Sequence, residues 1–231
     1  MTPTAEEIRR ELGASRARVA GEDPRYLFTE FRLLFLIVPV FLWAYRTFLS
    51  SLLIPGVVFI AVCCLVVLIR DPTFDRNRLW NASELGAGLR EPLCIFAVGA
   101  VPLLLLAWAP RPSSFLAFPR ASTDRWLMIM LIYPALSVYP QEIIFRTFLF
   151  HRYRSLFTSA RSRVGWSTAA FGAAHLFLGN WIAVILSAIG GCLFARTYER
   201  TGSTLQASLE HALWGSYLFT IGLGGYFLFT A

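Results

Sequence analysis

"WLMIMLIYPALSVYPQEIIFRTFLFHRY", residues 126–153, is an apolar run that carries one carboxylate and one guanidinium before it ends at His151 and Arg152. The segment 126–150 is long enough to cross a ~30 Å hydrocarbon core as a helix rising ~1.5 Å per residue. Glu142 and Arg146 fall inside it, spaced i,i+4, so they share a helix face. Ionisable groups are costly at that depth and mark function by default. The bland alternative is a buried structural ion pair.

Similar apolar runs extend to both sides. Hydrophobic residues make up 56% of the 231-residue chain and charged residues only 15%, too few for a soluble domain. Spans are expected at about 33–50, 52–70, 92–109, 126–150, 164–178, 181–195 and 204–221. The fold class is therefore all-α, a polytopic membrane bundle of about seven transmembrane helices. Residues 1–32 read as a cytoplasmic N-terminal segment without a cleavable signal, and 33–231 as the membrane domain. The stretch "AEEIRRELGASRARVAGEDPR" suggests a short surface helix. The first two spans form a hairpin turning near Arg46 or Pro55.

All 21 basic residues are Arg, and the net charge is +7. They lie between apolar runs, as topology signals and headgroup contacts, so no nucleic-acid partner is expected. With the N-terminus inside, cytoplasmic segments hold 16 Arg and outer segments four, which favours that orientation in the cell (inner) membrane. The four Cys lie in or beside apolar spans and read as small hydrophobes.

Two ridges of small residues, Gly165/Ala169/Ala173 and Ala183/Ser187/Gly191/Ala195, are spaced to let helices approach closely. Only "GN" at 179–180 separates them, which predicts a tight hairpin. Its two spans of about 15 apolar residues give roughly 22 Å of helix, short of the bilayer core.

Depth links three polar residues. Glu142 lies ten residues from Arg152, His175 twelve from Arg163, and His211 eleven from Arg200. With those Arg at one membrane surface, all three side chains fall about 15–18 Å from it. His151, beside Arg152, is interfacial. A carboxylate and two imidazoles at one level suit general-base activation of water. They equally suit a zinc site of His175, His211 and Glu142 with an open position. HExxH, an intramembrane Gly-x-Ser-Gly and a paired intramembrane Asp are absent from the sequence. A transporter would show internal repeats, and none is apparent.

These residues resemble the CAAX-protease and bacteriocin-processing membrane family, also called Abi, which includes the type II CAAX prenyl endopeptidases. The family pattern is EExxxR, FxxxH, then HxxxN or HxxxD on successive helices. "QEIIFR" sets Gln141 and Glu142 on the two Glu positions and Arg146 on the Arg. "FGAAH" supplies Phe171 and His175. "HALWG" supplies His211, with Gly215 in place of Asn or Asp. The resemblance covers about 126–220. It implies an intramembrane endopeptidase that cuts a lipid-modified or hydrophobic C-terminal peptide in the cytoplasmic half of the membrane. The implied partners are a membrane-associated peptide or protein substrate and the lipid bilayer.

It also implies Glu142, His175 and His211 as catalytic residues, with Gln141, Arg146 and Phe171 in support, and no metal cofactor, zinc being the alternative. The site cavity is expected to include all three catalytic side chains and to open towards the cytoplasmic half. The family's first Glu activates water, and Gln141 cannot accept a proton. Either Glu142 takes over after a local change of helix geometry at Pro140, or the chain is a catalytically inactive peptide-binding, immunity or sorting relative. Gly215 removes a possible oxyanion donor. Glu210 is the other acid near this layer.

Overall fold

The structure, a computed structural model, describes residues 23–83, 85–110 and 112–228. The expected surface helix lies largely outside them. Seven main helices follow in chain order: α1 Pro24–Ala44, α2 Arg46–Arg70, α3 Leu85–Trp108, α4 Thr123–Arg152, α5 Ala160–Ala174, α6 Trp181–Thr201 and α7 Thr204–Ile221. The protein is an all-α membrane bundle. By length and apolarity α1, α2, α3, α4 and α6 qualify as spans. Helices form at the two other expected positions, but α5 is only 15 residues long and α7 did not qualify.

Local sequence sets the boundaries. Helix α1 begins at Pro24, earlier than the apolar run, because the Asp23 side chain accepts from the Arg25 amide and Pro24 starts the first turn. Arg25, Glu30 and Arg32 mask this turn from a hydropathy reading, although Leu27 and Phe31 are buried. The α1–α2 hairpin breaks at Tyr45, whereas Pro55 sits inside α2. Asn180 caps α6 and Ser203 caps α7, each side chain accepting an amide of its first turn. Gly179 and Gly202, at φ +71° and +60°, supply the left-handed residues before these caps.

The α5–α6 hairpin packs closely, but only one predicted ridge makes the contact. Ala183, Ser187, Gly191 and Ala195 are buried. Gly165 and Ala169 face outward, and the α5 side is built instead from Ala170, Phe171 and Gly172. A Cβ added at Gly172 would stand 3.2 Å from Ala188, and one at Gly191 would stand 3.0 Å from the Phe171 ring. The hairpin also reaches further than expected. Helix α6 runs to Thr201, and Gly179 at its tip meets the Arg46 side chain of the α1–α2 turn.

The Arg-rich segments meet at one end of the bundle. Arg152 makes a two-pronged contact to Glu30 at 3.1 and 3.0 Å, and Tyr153 donates to the same carboxylate. His151 pairs with Asp71 at 2.7 Å, so its interfacial placement is fixed by a partner. Arg163 binds Glu199, and Arg200 binds Glu91. A short helix, Asn77–Trp80, plugs this end, with Trp80 stacked on Tyr139 and Leu79 buried.

Candidate active site

Helix α4 is irregular where it carries the ionisable residues. Residues 134–138 and 143–148 are wound as π-helix, flanking Tyr139–Glu142. Pro134 and Pro140 lack amide donors and push preceding carbonyls out of the α-helical pattern. The Tyr139 amide bonds back five residues to Pro134. Such segments recur at functional sites. The wider turn buries Ile143, Ile144, Arg146, Thr147 and Phe148 together.

Glu142 and Arg146 both have 0% exposure. Glu142 Oε2 lies 3.1 Å from Arg146 Nε, an attraction between charges without the alignment of a hydrogen bond. The guanidinium donates to the Gly191 carbonyl at 3.2 Å and rests 4.3 Å above the Phe171 ring. The small residue at 191 thus admits both Phe171 and Arg146 to the face of α6.

The other carboxylate oxygen, Oε1, accepts from His211 Nδ1 at 2.8 Å. A carboxylate can only accept here, so the proton belongs to Nδ1 and Nε2 is the ring's second nitrogen. The ring stacks on Phe194, centroids 4.4 Å apart at 13°. His175 is held similarly from a different source: its Nδ1 donates to the Phe171 carbonyl at 2.8 Å. Both imidazoles touch the Phe171 ring, at centroid distances of 4.6 and 5.5 Å. His175 and His211 therefore meet around Phe171, and Glu142 joins them through its bond to His211.

A cavity of about 1140 Å³, almost wholly apolar, receives residues from all seven helices. His175, His211 and Gln141 line it, and Glu142 does not. This departs from the expectation that all three catalytic candidates face the cavity. Glu142 sits behind His211 because Arg146 and the imidazole take its two oxygens. Gln141, one position earlier, faces the cavity and donates to Ser137 Oγ at 2.8 Å. The cavity's lining spans the bundle, from Leu34, Val67 and Phe148, about one turn from Glu30, Asp71 and Arg152, to Leu218 and Phe219 near the other end of α7.

Glu210 is buried beside Thr197 and outside the cavity lining. Among the described residues no group of three His, Cys, Asp or Glu is arranged to hold a metal ion. The zinc set of His175, His211 and Glu142 does not fit this arrangement, since Glu142 is bonded to His211 and to Arg146.

One feature of the site escaped the sequence reading. A Cβ at Gly215 would lie 2.1 Å from the Tyr133 hydroxyl, so Tyr133 of α4 fills the space where the family carries Asn or Asp. Tyr133 in an apolar run reads as core. Only the unexplained glycine pointed to a neighbour in that space.

Fold and site together define a polytopic membrane protein built around a buried Glu–Arg–His cluster. Residues 123–217 match the family model described as Type II CAAX prenyl endopeptidase Rce1-like. The match covers the helices that carry Glu142, His175 and His211. No curated protein and no solved structure matches the chain.

Proposed function

We propose that the chain is an intramembrane endopeptidase in which His211, backed by Glu142, is the general base. The observation that carries this reading is the pair of imidazoles, each with Nδ1 committed and each lining the same apolar cavity. A buried carboxylate on Nδ1–H fixes the tautomer and stabilises the imidazolium that forms on proton uptake. Arg146 pairs with Glu142 and holds it in place. His175 Nε2, with its lone pair free, accepts a hydrogen bond from the attacking water.

The water oxygen attacks the peptide carbonyl while its proton passes to His211 Nε2. The C–N bond then breaks, and the same proton goes to the leaving amine. The apolar cavity suits a hydrophobic or lipid-modified C-terminal peptide. The chain sits with its N-terminus in the cytoplasm, a placement supported by the gathering of the Arg-rich segments at one end.

A second reading, a peptide-binding relative without activity, is favoured by Gln141 in the cavity where the family has Glu. One experiment separates them. Purified protein in lipid nanodiscs is given a prenylated C-terminal peptide, with and without chelator. Cleavage that survives chelation and disappears in His211→Ala supports the first reading. Binding without cleavage supports the second, and loss of activity on chelation would restore a metal mechanism.

A further inference from the structure

Tyr133 carries a hydroxyl that the mechanism above does not use. It lies on the cavity wall, with its ring edge-on to His211 at a centroid distance of 6.3 Å. No hydrogen bond of that hydroxyl occurs among the described residues. The hydroxyl lies against α7 at Gly215, itself a cavity-lining residue, and a polar group without a partner in such apolar surroundings is costly unless a ligand supplies one. The packing that brings it there is specific. Beyond the hydroxyl, Tyr133 Cε1 and Cζ would each stand 2.7 Å from a Cβ at position 215, so only glycine on α7 lets the ring reach this place. Phe219 packs edge-on against the same ring and limits its tilt.

We propose that the Tyr133 hydroxyl is the donor to the carbonyl oxygen of the bound peptide, taking from α4 the role that residue 215 cannot fill from α7. The inference rests on the endopeptidase reading for its catalytic part. The phenol is a neutral O–H donor fixed by packing before substrate arrives, as oxyanion stabilisation requires. It stands beside His211, so a carbonyl that accepts from Tyr133 holds its carbon near the water that His211 deprotonates. The exchange of glycine for a polar residue at 215 and the inward tyrosine at 133 are then one feature.

The test uses Tyr133→Phe, which keeps the ring, and a prenylated C-terminal peptide carrying ¹³C=O at the bond to be cut. In wild type the carbonyl stretch of the bound peptide should shift to lower frequency, and Tyr133→Phe should abolish that shift. Turnover should fall by about 10²–10³-fold, with KM changing much less. Tyr133→Ala with Gly215→Asn should recover part of the lost turnover, whereas Tyr133→Ala alone should not. A bound peptide with the same carbonyl frequency in wild type and Tyr133→Phe overturns the inference, whether or not cleavage occurs. A shift lost in Tyr133→Phe without any cleavage in wild type supports the donor and rejects the endopeptidase reading. A wild-type protein that binds no peptide rejects both.

Discussion

Gln141 and Glu142 are adjacent in sequence and face different surroundings, one the cavity and the other Arg146 and His211. That division makes opposite predictions for the two positions. Glu142→Gln should lower turnover by up to about 10⁴-fold, because His211 loses the carboxylate that fixes its tautomer and stabilises its imidazolium. It should also destabilise the fold by roughly 3–5 kcal/mol, because Arg146 is left as an uncompensated buried charge. Gln141→Glu should leave turnover intact or raise it, since it adds an acceptor to the cavity wall. Cleavage and unfolding measured on the same preparations check both. Wild-type turnover in a folded Glu142→Gln protein would remove the carboxylate from the mechanism. Glu142, His175 and His211 were legible in the sequence because their distances to flanking Arg residues match. What stayed hidden was which side of α4 each carboxyl position faces, since the π-helical winding resets the phase that an α-helical reading assumes.

At the scale of elements, the α5–α6 contact decides where Phe171 sits. Gly191→Val should displace the Phe171 ring and disturb both imidazoles with it. The expected cost is about 1–3 kcal/mol of stability, as for other overpacked positions, together with reduced turnover. Gly165→Val, on the outward face, meets nothing within 4 Å and should change neither. Thermal unfolding and peptide cleavage on the two variants distinguish a specific contact from a general sensitivity of glycines. The spacing by four was visible on both helices in the sequence. Spacing alone cannot say which small-residue stripe meets protein and which meets lipid, because lipid tails and leucine side chains are equally apolar. The start of α1 was hidden for a related reason: its first two turns bury Leu27 and Phe31 while displaying charge.

Across the whole molecule, the Arg-rich segments converge on a single end, as their charge pattern implied. Single-sided labelling should therefore find 70–91 and 152–163 on one face and 110–125 on the other. Access to 152–163 and 110–125 from the same side would contradict the bundle. The ionic end also predicts a response to acid. Burial alone would raise the Asp71 carboxyl, but hydrogen bonds from Thr73 and His151 outweigh it and hold the group down to about 2. A carboxylate depressed on folding contributes stability above its unfolded value, and that contribution is lost as pH falls from about 4 to 2. The stability difference between wild type and Asp71→Asn should accordingly be largest near neutrality and shrink over that interval. Detergent-induced unfolding at a series of pH values measures it.

The closed ionic end has an electrical consequence. A cavity of about 1140 Å³ inside a membrane protein invites leakage, yet no residue of the Glu30–Arg152 or Asp71–His151 pairs contributes to its wall. Asn77–Trp80 does not line it either, so paired charges and a short helix lie outside its wall at that end. Planar bilayers containing the protein should hold an applied voltage without added conductance. Severing both pairs at once, with Glu30→Ala and Asp71→Ala, should make the same bilayers leak.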